Sequence, residues 1–217
     1  MNKILVSDII NLNNGSYKIE CLNKNIKLKI NGEVKLYLYN EIFEDLYIDL
    51  EDKSNLEIYI YNEKLNNIMN INIYQNNNSK LYLNNSIIND EKFKIIINNY
   101  IKGNNNESNI KLRNISNNEN SEIIVNVNID KNTINNIALE DLKGINNGGS
   151  VLIEPNIICN SYEVVANHLT TIGCLDRDSL NYLMSKGISE EESKKVLLKG
   201  FIYSNMDENF KKNFGGE

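Results

Sequence analysis

The sequence has 217 residues, 41% of them hydrophobic and 24% charged, with a formal net charge of -6 and a pI of about 5.0. That size and composition suit one domain, or one domain with an appendage, and the acidic balance repels phosphate backbones, so no nucleic acid is expected as partner. No apolar run reaches the roughly 18 residues that span a bilayer, so no membrane is expected either, and Asp8 interrupts the N-terminus too early for a signal peptide, which points to the cytoplasm.

Residues 1–150 read as β almost throughout. Short segments rich in Ile, Tyr, Leu and Val alternate along 35–39, 56–61, 71–74, 80–83, 93–97, 109–112 and 123–129. A period of two places one set of side chains inward and the other outward. Between the segments lie polar clusters such as 75–79 and 103–108, where asparagine suits turns because it tolerates left-handed backbone and bonds to its own chain. Two architectures fit, an antiparallel sandwich or a β-helix. Hairpin dipeptides occur early, at Asn14-Gly15 and Asn31-Gly32, and are missing from the middle of the chain. A stack of coils needs no tight hairpins, which favours the β-helix, although no repeat of fixed length is visible. Asparagine makes up roughly a fifth of the chain, far above ordinary usage. AT-rich coding accounts for such a bias, and so do hydrogen-bonded asparagine ladders at the corners of stacked coils.

The pattern changes after about residue 172. Asp176 reads as an N-cap, Leu180, Leu183 and Met184 follow at helical spacing, and Gly187 stands where a helix ends. Ser189-Glu190-Glu191-Glu192 has the form of a capping box and opens a second helix with Val196, Leu197 and Phe201 on one stripe. Lys194, Lys195 and Lys199 lie late in that helix and suit its negative end.

Several chemistries lack their signatures. No phosphate-binding G-x-x-x-x-G-K-[ST] and no G-x-S-x-G is present, and His168 is the only histidine. Cys21, Cys159 and Cys174 form an odd, sparse set without a C-x-x-C pair, which argues against a disulfide framework or a self-contained zinc site. Glu41, Glu44, Asp45, Asp49, Glu51 and Asp52 read as a solvated face, and the remaining acids are too scattered for the paired carboxylates of glycoside hydrolysis.

The stretch 155–201 carries the most specific pattern. It begins with Pro155 and a strand, then has Val164-Val165 ahead of His168, Thr170-Thr171, Leu175-Asp176, Tyr182-Leu183, Lys186-Gly187-Ile188, the acidic cap and Gly200-Phe201. In order and spacing this resembles, in a short form, the C-terminal signature of the SufB/SufD family of iron–sulfur cluster assembly scaffolds. The resemblance implies a right-handed parallel β-helix as the core, 1–172, and a C-terminal helical segment, 173–217. It implies a non-ATPase scaffold subunit, not itself an enzyme, that works with a SufC-like ABC-type ATPase docked on the helices through Tyr182, Leu183, Met184, Lys186 and Val196. A homodimer, or pairing with a paralogous β-helix subunit, would go with it. His168 falls on the family's histidine, and a neutral imidazole is a sound iron ligand. A transient iron–sulfur cluster normally needs thiolates, for which Cys159 and Cys174 are the nearby candidates. Read alone, His168 is a structural histidine at a strand-to-helix junction, and each cysteine a small buried hydrophobe. The chain also departs from the family. Asn167 and Leu169 stand where one branch has carboxylates, and Ala166 stands where the other has a cysteine. A second reading is therefore an ATPase-binding module that has lost cluster chemistry.

Overall fold

The computed structural model describes residues 2–6, 9–21, 24–63 and 68–214, and the side chain of Cys21 lies outside that description. In chain order the strands are β1 (Asn2–Val6), β2 (Ile9–Leu12), β3 (Gly15–Cys21), β4 (Asn25–Ile30), β5 (Glu33–Tyr39), β6 (Asp45–Leu50), β7 (Asn55–Glu63) and β8 (Ile68–Gln75). They continue with β9 (Lys80–Asn89), β10 (Phe93–Ile101), β11 (Glu107–Ser116), β12 (Asn120–Ile129), β13 (Ile134–Asn146), β14 (Ser150–Cys159) and β15 (Glu163–Gly173). Odd-numbered strands form one sheet and even-numbered strands the other, each in sequence order. Every pairing is parallel. The chain thus passes from one sheet to the other and back on each coil, which makes the fold a parallel β-solenoid and excludes the antiparallel sandwich.

Alternation explains why these segments wind this way. Along β10, Phe93, Ile95, Ile97, Asn99 and Ile101 point into the coil, and the residues between them face outward. Because the ladders are parallel, each inward residue stacks on its counterpart one coil away. Leu36, Ile58, Leu83 and Ile110 form one such column through β5, β7, β9 and β11, and all four are buried. Each buried Leu or Ile contributes roughly 1.5–3 kcal/mol of transfer free energy, so the column is a continuous source of stability along the axis.

The asparagines organise the corners and the outer face. Asn72, Asn98, Asn126 and Asn156 form a ladder of side-chain amides, each donating to the carbonyl oxygen of the one before at 2.8–3.0 Å. At one corner three ladders run side by side. The backbone N–H of Asn77, Asn104 and Ile134 donates to Asp52, Asn77 and Asn104 respectively. Next to it, Asn105 donates to Asn78 and Asn135 to Asn105, both at 3.2 Å. In the third, the N–H of Ser79 donates to Asn106 and that of Asn106 to Asn136. Asn78, Asn105 and Asn135 have φ of 58°, 56° and 57°, the left-handed backbone that asparagine tolerates better than most residues. The ladder rungs are 26, 28 and 30 residues apart along the outer face. This drift in coil length is why the sequence shows no fixed repeat.

The helices begin where their caps predict. Asp176 accepts from the N–H of Ser179 at 2.8 Å and opens α1 (Arg177–Ser185). Gly187, at φ 89°, turns the chain, and Ser189 accepts from the N–H of Glu192 at the start of α2 (Glu190–Ile202). A 3-10 turn (Tyr203–Asn205) and α3 (Glu208–Phe214) follow, neither of which the pattern foreshadows. This tail lies across the outward face of the odd-numbered sheet. Phe210 is fully buried there against Tyr37, Tyr39, Tyr59 and Tyr61, with ring centroids 5.9–6.4 Å apart. Polar bonds fix the docking. Ser86 donates to the carbonyl of Ile202 and to Asn205, both at 2.7 Å, Tyr37 donates to Asp207 at 2.9 Å, and Arg113 bonds Ser204 and Asp141.

Candidate functional site

The solenoid ends at β14 and β15, which are the terminal strands of their sheets. The consequence is visible in burial. β12 alternates cleanly between buried and half-buried, whereas β15 has no buried residue. The inward residues of this last strand are uncovered, His168 and Ile172 being exposed, and the outer face of this end carries apolar residues too, with Ile158, Val165 and Leu169 exposed in register with the outward Asn128, Ile137 and Asp141. This is an open mouth onto the interior of the coil.

Register determines which side chains look into that mouth. His168 pairs with Glu140 of β13, and Glu140 pairs with Ile110 of β11. His168 and Glu140 therefore complete the interior column that runs from Tyr17 of β3 through Leu36. Four buried apolar layers, Leu36 to Ile110, are followed by a carboxylate and then an imidazole. Glu140 is only 3% exposed, and neither carboxylate oxygen has a hydrogen-bond partner. Burial pushes its carboxyl up to about 7, because an ionised carboxylate without a partner is disfavoured away from water. Two residues beyond His168 on the same face, the Thr170 hydroxyl is likewise buried without a partner. The neighbouring outward pair behaves differently. Burial alone would raise Asp141, but the hydrogen bond and charge of Arg113, helped by Lys143, hold it below the usual carboxylate range.

Cys159 and Cys174 are both free and exposed. Cys159 closes β14 in register with the buried Ile129, so it belongs to the inward parity of the even-numbered sheet. Its thiol donates to the carbonyl of Ser161 at 3.1 Å. Cys174 follows β15 at the junction with α1 and lines a pocket with Lys143, Thr171, Leu175, Leu197 and Phe201, away from the inward column. Among the described residues, no group of three or more His, Cys, Asp or Glu side chains is arranged to hold a metal ion. The described residues of one chain therefore offer the column pair, with Cys159 at the end of the facing strand, and no complete ligand shell. Glu140 escaped the sequence reading. Alternation with Ala138 and Leu142 places it inward, but only the coil register sets it beneath His168.

The helical pair presents a second surface. α1 has no buried residue. Tyr182 is 62% exposed, Met184 and Val196 are exposed, and Leu183 is half-buried. The Lys186 ammonium sits 5.3 Å from the centre of the Tyr182 ring. The early acids are dispersed: Glu44 pairs with Lys24, Glu51 with Lys29, and Asp52 with the Asn77 backbone, in keeping with a solvated face.

A family model described as "SUF system FeS cluster assembly, SufBD core domain" matches residues 43–201. The match runs from before β6 to Phe201, in the last turn of α2, and takes in both surfaces. No curated protein matches the chain. Among the described residues, no helix is long and apolar enough to cross a membrane.

Proposed function

Because this chain belongs to the SufBD core family of the SUF system for iron–sulfur cluster assembly, we propose that it is a non-ATPase scaffold subunit of a cytoplasmic SUF-type complex that works with a SufC-like ABC-type ATPase. Its β-helix core, 1–172, carries the site, and its helical segment, 173–217, carries the docking surface. The protein is not an enzyme in this reading; ATP is hydrolysed in the partner, and the cluster is cargo. The observation that carries the proposal is the inward register of His168 at the open end of the coil. A neutral imidazole there is an iron ligand of borderline softness, and Cys159 or Cys174 would add thiolate. Since no group of three ligands stands among the described residues of one chain, a homodimer, or a pair with a paralogous β-helix subunit, would bring two such ends together about a two-fold axis. The exposed apolar residues of β14 and β15 suit such an interface.

Docking of the ATPase would use Tyr182, Leu183, Met184, Lys186 and Val196, an apolar surface with one cation. Co-purification of the chain with the ABC-type ATPase, with complex mass read by light scattering, tests this. A stable complex that falls apart when Leu183, Met184 and Val196 are made charged supports the reading. No complex at micromolar concentration refutes the partnership. The lack of a three-ligand group among the described residues of one chain favours a second reading, an adaptor that binds the ATPase without handling iron. Anaerobic reconstitution separates the two, since a scaffold retains iron and labile sulfide and an adaptor does not.

A further inference from the structure

The column under the mouth contains an unusual substitution. From β5 to β11 its members are Leu36, Ile58, Leu83 and Ile110, all buried. The next layer holds Glu140, a carboxylate with 3% exposure and both oxygens unpartnered. The layer after that holds His168, in register with it. A buried carboxylate without a partner is strongly disfavoured unless a cation or donor satisfies it, and Arg113 and Lys143 are committed to Asp141 on the outward face. Along the column, Ile110 closes one side of Glu140, and His168 and the open end lie on the other. Register partners in a parallel sheet stand about 4.8 Å apart, which is a spacing from which a carboxylate and an imidazole can share one metal ion.

We infer that Glu140 is a metal ligand of this chain, binding a divalent cation such as ferrous iron together with His168 at the mouth of the solenoid. This deepens the proposed role of His168 and rests on it. The ligand chemistry is oxygen and nitrogen, which suits ferrous iron or manganese better than a soft, thiolate-bound ion. The remaining coordination positions would be filled by water or by a second copy of the chain. Ion entry supplies the positive charge that Glu140 lacks.

The test is cobalt(II) binding to the full chain without oxygen, chelator-treated beforehand and followed by calorimetry and by visible absorption. Parent, Glu140→Gln and His168→Ala are compared. Gln keeps the shape of Glu140 and removes a buried charge, so folding is expected to survive; circular dichroism verifies it. The parent is expected to bind one cobalt per chain or per dimer, and each variant to bind ~10-fold or more weakly. If His168→Ala binds weakly and Glu140→Gln binds like the parent, the inference about Glu140 is wrong while the role of His168 stands. If Glu140→Gln alone weakens binding, Glu140 is a ligand and the role given to His168 fails. If both variants bind like the parent, or the parent binds no cobalt, both are overturned.

Discussion

Lys53 occupies a position that its neighbours reserve for asparagine. Its N–H donates to the carbonyl of Asn77, just as that of Asn78 donates to Asn104 and that of Asn105 to Ile134. Its φ is 64°, within a few degrees of Asn78 and Asn105. Lys53 is thus the first rung of the left-handed ladder, filled by a residue with neither the conformational tolerance nor the amide. A side chain with a Cβ costs roughly 1–2 kcal/mol in that backbone, of which Asn recovers a part through its short polar side chain. An amide at 53 would also accept from Asn78, as Asn78 accepts from Asn105 at 3.2 Å, worth ~0.5–1 kcal/mol at an exposed site. Lys53→Asn should therefore stabilise the protein by ~1–2 kcal/mol, or about 3–6 °C in Tm for a chain of this size. Urea unfolding at constant slope measures it. Lys53→Gly separates the contributions, because glycine accepts the left-handed backbone without offering an amide. If Lys53→Asn is no more stable than the parent, the corner ladder has no net stabilising effect. If Lys53→Gly matches it, the backbone accounts for the whole gain and the amide stacking adds nothing.

Three further perturbations follow from named contacts. Glu140 binds its proton more tightly folded than unfolded, so its burden is absent below about pH 4.5, grows as pH rises towards about 7 and is complete above that; in chelator-treated protein Glu140→Gln should gain ~2–3 kcal/mol over the parent at pH 8 and almost nothing at pH 4.5, and a gain independent of pH would contradict the cause given. Phe210→Ala removes the anchor of the tail, a loss of about 3–5 kcal/mol of local packing, and limited proteolysis should then cut the tail at Lys211 or Lys199 while the strands stay protected. Buried Asn114 donates to Asn89 and to the carbonyl of Ile87 and accepts from Ser121 at 2.7 Å. Its replacement by Ala should cost ~2–4 kcal/mol because it orphans those groups. Exposed Asn156, with one bond to Asn126 at 3.0 Å, should cost less than ~1 kcal/mol, and equal losses at the two sites in urea unfolding would undo the argument.

What could be read beforehand was local. Alternation in 71–74, 93–97 and 123–129 marked β8, β10 and β12 because a period of two is carried by adjacent residues. Asp176, Gly187 and Ser189 marked α1 and α2 because caps act over three or four residues. What lay hidden was long-range. Coil register depends on turns whose length varies, so rungs 26, 28 and 30 residues apart do not show up as a repeat. The ladders made the asparagine excess structural, yet a composition cannot tell corner ladders from coding bias. Glu140 sat inside an ordinary alternating strand, and its meaning came from His168, 28 residues later, being the next layer up. The docking of Phe210 beside Tyr37 joins segments with no pattern in common.

That docking changes how the molecule should come apart. A stack of coils in which each touches only its neighbours behaves as a one-dimensional chain, where melting starts at an end and spreads rung by rung. The C-terminal tail breaks that dimensionality. It touches β5 through Tyr37 and Asp207, β9 through Ser86, and β11 through Arg113 and Ser204. Coils that are otherwise separated in the stack acquire a common neighbour, and an end cannot fray past the brace without releasing it. The solenoid thereby gains the all-or-none unfolding of a globular domain over the braced coils, and leaves the coils beyond β13, where the mouth lies, as the part free to open by itself.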